Sequence, residues 1–384
     1  MLTNDRAIFT LFDRLPEPRR TCANFRYPLN EIVVIALCAT IANCETWDEI
    51  EDFGNERIDW FKQYLDLEHG VPSHDTIGRV ISLLDTAKFF ECLQDWVTQL
   101  QLDLKGRGIH IDGKAARRSF DQASNKKPLH MVSAWVDEHK VCLGQLATEE
   151  KSNEITAIPM LLDLLNIKGA VVTLDAMGCQ EKITEAIIAK EADYVITAKD
   201  NQPRLVAAIA RQFSEYEDRD NQDREVRTAR KKTRSRGRIQ EQVVTVAPVP
   251  DSIKAMNKWQ GIKTIGMVYR HREAINKNNP RAIKESDNVT YFISSLPPTA
   301  SKVIQYVNKH WTVENSLHWS LDVTFTEDQS RIRKGSSPEI MASLRRFVIT
   351  LLKRDTSMPK KSMKRKRKVA ALNSAALEAI LFGV

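Results

Sequence analysis

From Gly108 to Asp200 this chain alternates strands and helices in an order that few folds accommodate. Three apolar runs come first, GIHIDG, HMVSAWVDEH and KVCLGQLAT, the last two joined by a tight connection at Asp137–Lys140. Short runs of this composition, bounded by turn residues, read as strands, here an antiparallel meander. A helix follows from Asn153 to Leu165, with Asn153 suited to cap its start. Then come the strand AVVTLDA, a helix from Gln180 to Glu191 and the strand ADYVITAKD.

A meander followed by helix, strand, helix and strand predicts three antiparallel strands extended by parallel ones. That is an α/β arrangement in the RNase H-like order. In such a sheet the first strand and the next parallel strand lie side by side. Asp112 ends the run GIHID and Asp175 ends GAVVTLD, so the two become neighbours despite their separation in sequence.

The flanks have a different texture. Residues 1–100 read as helical: Leu29 to Asn43 after Pro28, then Thr46 to Phe61 with apolar residues at Trp47, Ile50, Phe53, Ile58 and Phe61. GVPSHDTIGRVISLLD gives a further short helix with Ile77, Val80, Ile81 and Leu84 on one face. His74, Asp75 and Arg79 on that helix suit a helix-turn-helix DNA reader, although an ordinary helical corner has the same spacing. Residues 201–298 break the α/β order and read as a largely β insertion. Helices resume at Ala300. At roughly 150 residues per domain, 384 residues make two or three units. The expected division is a helical domain at 1–104, an α/β domain at 105–354 interrupted by the insertion, and a basic tail at 355–384.

A third acid, Glu314, falls in HWTVENSLHWSLDVTF. On a helix from Val313 to Phe325, Leu317, Leu321 and Phe325 mark a buried stripe, and Glu314 shares it. A buried carboxylate without a partner costs several kcal/mol or gives up its charge. A metal held by Asp112 and Asp175 serves as that partner, and so does His318 one turn on. Asp322, Glu327 and Asp328 are rivals for the third position, Asp322 the nearest of them. Oxygen-only ligands suit Mg²⁺, which keeps water and substrate phosphate beside one or two protein carboxylates. Two such ions suit phosphodiester chemistry. A lone Asp at a strand end, by contrast, commonly just starts a turn.

The net charge of +7 is localised. Residues 353–368 hold nine of the 57 Lys and Arg side chains against one of the 50 acids, so the rest of the chain is near neutral. Lys364, Arg365, Lys366, Arg367 and Lys368 form its densest run, and Arg224 to Arg238 is a second basic stretch. Such runs contact phosphate backbones without reading sequence, or are simply solvated. Lys114, Arg117 and Arg118, just after Asp112, suit a scissile phosphate or pair with surface acids. No apolar run reaches the roughly 18 residues of a membrane span, and the N-terminus lacks the pattern of a signal peptide. The six cysteines show no CxxC pair, which fits a reducing cytoplasm without disulfides or zinc.

Taken together, IDGKAARRSF, LHMVSAW, EEKSNEITAIPMLL, LDAMGCQ, YVITAKDNQ and HWTVENSLHWSLDVTFTED resemble bacterial insertion-sequence transposases of the DDE class, of the H-repeat-associated, Rhs-linked type. EIVVIALCATIANCETWDEIEDFGNE and GVPSHDTIGRV resemble that family's associated helical domain. The resemblance covers nearly the whole chain. It implies an RNase H-like core with an inserted β region, and metal binding by Asp112, Asp175 and Glu314. It implies two Mg²⁺ ions, replaceable by Mn²⁺, and cleavage and strand transfer at transposon ends. The partners it implies are double-stranded terminal inverted repeats and target DNA, bound by a homodimer, in the bacterial cytoplasm at the nucleoid. The wider superfamily places an Arg and a Lys around the Glu. Here Tyr306 matches the preceding Tyr, Lys309 and His310 stand near the Arg position, and no Lys follows until Lys334. Those phosphate contacts are not carried over; His310, His318 and Trp319 are the nearby substitutes. Two other readings share most of these residues: a degenerate copy that binds DNA without chemistry, and an RNase H-like nuclease that does not transpose.

Overall fold

The structure, a computed structural model, describes residues 7–19, 26–120, 127–148, 154–218, 226–235, 238–276 and 279–383. Asn153, Cys22 and parts of the Arg224–Arg238 stretch lie outside the described residues. In chain order the elements are α1 Leu29–Ile41, α2 Trp47–Glu56, α3 Ile58–Phe61, α4 His74–Ile81, α5 Thr86–Gln99, β1 Gly108–Ala116, β2 Leu129–Val136 and β3 Val141–Thr148. Then follow α6 Glu154–Leu164, β4 Val171–Leu174, α7 Glu181–Ala189, β5 Asp193–Ala198, α8 Pro203–Asp218, β6 Arg227–Ser235, β7 Arg238–Pro248 and α9 Asp251–Lys254. The chain ends with β8 Thr264–Asn276, β9 Asn279–Ser294, α10 Ala300–His310, α11 Trp319–Val323, α12 Ser337–Arg354, α13 Met363–Leu372 and α14 Ser374–Phe382.

The strands form a nine-stranded sheet in the order β3-β2-β1-β4-β5-β9-β8-β7-β6. β2 and β3 are antiparallel, β1, β4 and β5 are mutually parallel, and β9 runs antiparallel to β5. The expected placement of the first strand beside the next parallel one is therefore found. The inserted region opens with the helix α8 and then adds β6 to β9 to the same sheet, so it is not wholly β.

The chain divides into two compact units, and β1 belongs partly to each. One comprises Met1–Leu102, Gly113–Asn153 and Glu314–Val384. α1 is apolar on nearly every side and buried on nearly every side, as a helix must be to serve as a central core element. Its buried Thr40 donates to the Ala36 carbonyl at 2.7 Å, and its buried Glu31 accepts from the Leu67 N–H at 3.0 Å. α2 begins with a capping box between Thr46 and Glu49. The helical stretch 1–102 shares this core with the C-terminal helices. Trp96 meets Phe347 edge-on at 4.8 Å, and the Trp60 indole donates to Glu378 at 2.6 Å.

The segment read as a basic tail is therefore corrected: it folds into α13 and α14. Lys366 is buried against Asp355 at 2.7 Å and donates to the Leu352 carbonyl at 2.9 Å. Arg367 is fully buried, reaching the Thr324 and Thr40 carbonyls at 2.6 and 2.9 Å and Glu45 at 2.7 Å. Its guanidinium lies 3.9 Å from the centre of the Phe325 ring.

The second unit comprises Asp103–Asp112 and Glu154–Val313. α10 packs Val303 and Ile304 against Val171, Val195, Val244, Val246, Val268 and Phe292, covering one face of the strands. Among the described residues no helix is long and apolar enough to cross a membrane. Cys38, Cys44, Cys92, Cys142 and Cys179 are free thiols, and burial raises the pKa of each, to about 12 at Cys44 and Cys179.

Candidate active site

The parallel pairing of β1 with β4 runs Gly108 to Val171, Ile109 to Val172 and His110 to Thr173. Carried two residues further, the same register would bring Asp112 level with Asp175, which lies one residue beyond β4. Side chains two apart on a strand share a face. Gly108, His110 and Asp112 therefore line one face of β1, with Val171 and Thr173 beside the first two. β1 continues to Ala116, so Asp112 lies within the strand and not at its end, as the sequence suggested; the ladder to β4 is what stops near it.

Asp175 leaves β4 in an extended conformation and caps a 3-10 turn, Ala176–Gly178, by accepting the Met177 N–H at 2.9 Å. The turn-starting role of an Asp is thus real here. That bond uses one carboxylate oxygen.

Below the acid pair a polar brace crosses to α10. The Thr173 hydroxyl lies 2.7 Å from His110 Nδ1 and 2.9 Å from His310 Nδ1. One hydroxyl can donate to one ring and accept from the other. The two rings meet edge-on with centres 6.4 Å apart. Burial holds His310 down at about 4, despite Asp175 favouring its charge, and Arg270 lowers it further. Tyr306, one turn back on α10, donates to the Gly106 carbonyl at 3.0 Å. Gly108 makes this packing possible: a Cβ there would come within 2.8 Å of the His110 ring. Thr173, Arg270, Tyr306 and His310 line a small cavity of about 30 Å³.

Glu314 requires a correction. Leu317, Leu321 and Phe325 are fully buried as read, but Glu314 is exposed. The continuous helix breaks after His310, and Glu314–His318 form a π-helical turn before α11. A π turn rotates less per residue than an α turn, which carries Glu314 off the buried stripe. Among the described residues no group of three or more His, Cys, Asp or Glu side chains is drawn close enough to hold a metal ion. The rivals of Glu314 have other duties. Lys114 is buried among Asp322 at 2.7 Å, Asp328 at 3.2 Å and Glu327 at 3.7 Å. Arg117 pairs with Asp328 at 3.2 Å.

Of the basic residues read as DNA contacts, Arg79, Arg118, Lys364, Arg365 and Lys368 are exposed. Lys114, Lys366 and Arg367 are buried in the pairs described. His74 is held by Glu51 at 2.7 Å, and that hydrogen bond raises its pKa, with Asp48 and Asp75 adding to the effect. His310 and His318 cannot stand in for a cation: both are depressed mainly by burial, to about 4 and about 3. His110, Thr173 and Arg270 were not singled out in the sequence. The available signal was the period of two that puts His110 and Thr173 on the faces of Asp112 and Asp175.

Residues 98–351 match the family model described as transposase DDE domain, and residues 9–97 match one described as DDE_Tnp_1-associated. "Putative transposase YncI" of Escherichia coli O157:H7 is 39% identical over 93% of this chain and 90% of its own length. "H repeat-associated putative transposase YhhI" of Escherichia coli strain K12 is 37% identical over 96% of each chain. A solved piggyBac transposase synaptic complex with hairpin DNA aligns over 98% of this chain and 81% of its own, at TM-score 0.43 and 12% identity, too distant to carry any argument. The matched models and relatives span the strands, the acid pair and the flanking helices alike, and on them the chain belongs to the transposase DDE domain family.

Proposed function

We propose that this transposase cuts DNA phosphodiesters at the ends of an insertion sequence and joins them to target DNA, in an RNase H-like catalytic core. What supports this reading is the parallel β1–β4 register, which pairs His110 with Thr173 and, extended by two residues, would bring Asp112 beside Asp175. Two carboxylates with oxygen-only donors fit the one or two protein ligands that Mg²⁺ takes, Mn²⁺ being a close substitute. Asp112 and Asp175 would hold the ions, and Glu314 completes the set on the family pattern. Bound there, a divalent ion supplies activation of the attacking oxygen and charge stabilisation of the leaving one.

The chain's own residues do the positioning. Asp175 is fixed by its turn-capping bond, and the His110–Thr173–His310 brace locks the strand ends beneath the acids. Burial keeps His310 neutral, so that ring adds no positive charge beside the carboxylates. Double-stranded DNA, both terminal inverted repeats and target, is the substrate, bound by a homodimer. Arg227, Arg230, Lys231, Lys232 and Arg234 stand exposed on the edge strand β6 and suit sequence-independent backbone contact. Arg79, near the end of α4, suits the reading of the ends.

The test is Mg²⁺-dependent nicking of the element's own flanking DNA. Asp112→Asn and Asp175→Asn each remove a ligand charge at nearly constant shape. Each should abolish cleavage while DNA affinity stays within about twofold. Wild-type nicking by either variant would overturn the proposal. A wild-type chain that binds DNA and never cuts it would favour the degenerate reading.

A further inference from the structure

Three arginines outside the acid pair converge on one concavity. Arg118, Phe120, Arg331 and Arg333 line a pocket of about 220 Å³ within the unit that holds the C-terminal helices. Arg118 comes just after β1, and Arg331 and Arg333 lie in the segment before α12. Arg333 is preorganised. Its Nε donates to the Arg118 carbonyl at 3.0 Å, and its guanidinium lies 4.7 Å from the centre of the Phe120 ring. That leaves its terminal N–H groups to a ligand.

Charge balance distinguishes this pocket from its surroundings. Lys114 and Arg117, a few residues earlier, are neutralised by Asp322, Glu327 and Asp328. Among the described residues none of Arg118, Arg331 and Arg333 takes part in an ion pair. Three like charges in one concavity repel each other, and the walls of a cleft focus their field on an incoming anion. A guanidinium fork matches two phosphate oxygens at once, so planar donors converging from two segments favour a phosphate over a simple halide.

We infer that Arg118, Arg331 and Arg333 form a subsite for a phosphodiester of the DNA backbone. This rests on the DNA-acting function proposed above and names an interaction that function does not require. The subsite grips DNA without reading it, since phosphates carry no direct sequence information. Glu327 and Asp328, just ahead of Arg331, tie this segment to Lys114 and Arg117, so the pocket is anchored within its own unit.

The test is the salt dependence of DNA binding by the full chain. Fluorescence anisotropy would follow a labelled terminal-repeat duplex and a random duplex across a sodium chloride series. For every phosphate that is no longer gripped, the slope of log K against log salt should flatten by roughly 0.9. Arg118→Gln/Arg331→Gln/Arg333→Gln should flatten it by about one, and Arg331→Gln by a measurable part of that, equally for both duplexes. Lys254→Gln, which removes a surface charge paired with Asp251, should leave it unchanged. If the triple variant melts early because Arg333 also braces Phe120, Arg331→Gln decides alone, since its side chain makes no hydrogen bond among the described residues. A wild-type slope in Arg331→Gln overturns the subsite. That outcome leaves the cleavage test with Asp112→Asn untouched, whereas a wild-type chain that binds no duplex overturns the proposed function itself.

Discussion

Glu327 and Arg346 lie 2.9 Å apart, each with about 1% of its side chain exposed. Arg346 also donates to the Ser133 hydroxyl at 3.1 Å and the Ala342 carbonyl at 2.9 Å, and Glu327 lies 3.7 Å from Lys114. This buried network connects α12, β2 and the end of β1. Removing one partner strands the other charge in the core. Arg346→Met should therefore destabilise the fold by about 3–5 kcal/mol in urea unfolding, and adding Glu327→Met should recover part of that deficit. A single variant as stable as wild type would show that the pair is solvated.

The basic run of α13 should split by burial. Arg367→Gln breaks its bonds to Glu45, Thr40 and Thr324 and should cost several kcal/mol, within the range of about 3–5 for a broken buried pair. Neutralising the exposed Lys364, Arg365 and Lys368 to Gln should change stability by no more than about 0.5 kcal/mol. It should only weaken DNA binding and its salt dependence. Equal destabilisation by both sets would contradict the burial pattern.

Thr173→Val keeps shape but removes the hydroxyl shared by His110 and His310. Two buried ring nitrogens are left without that partner, which should cost roughly 1–3 kcal/mol, while Thr173→Ser should retain most of the stability. Differential scanning calorimetry of both variants separates the hydrogen bond from packing. Equal melting temperatures for Val and wild type would remove the brace from the account.

His318 sets a pH dependence. Burial first, and then Arg346, Lys114 and His130, hold it down at about 3, against 6.5 in the open chain. Between those values the unfolded chain binds the proton and the folded one does not. The contribution is complete above pH 6.5 and falls as pH drops through that window, by at most about 1.4 kcal/mol per pH unit. Urea unfolding at about pH 7.5, 6 and 5 should show the decline, and His318→Gln should make it shallower. Identical pH slopes in the two proteins would refute this.

The sequence by itself determined the strand and helix order from Gly108 to Asp200, the pairing of β1 with β4, and the buried stripe Leu317, Leu321 and Phe325. These rest on local periodicity and on the order of the elements, both written along the chain. It also carried the family, through long ordered motifs. Tertiary structure alone decided where each charge points. Lys114, Lys366 and Arg367 read as phosphate contacts or surface charges, because a sequence does not show which acids fold against a basic residue. Asp322 and Glu45, the partners of Lys114 and Arg367, come from other segments, and Asp355, the one acid of the basic run itself, reaches Lys366 only on folding. Glu314 reads as buried because periodicity supposes one helical pitch throughout, and the π turn that exposes it has no periodic signature. The arginine pocket is invisible in the sequence for the same reason: Arg118 stands far along the chain from Arg331 and Arg333, and only the fold makes one concavity of them.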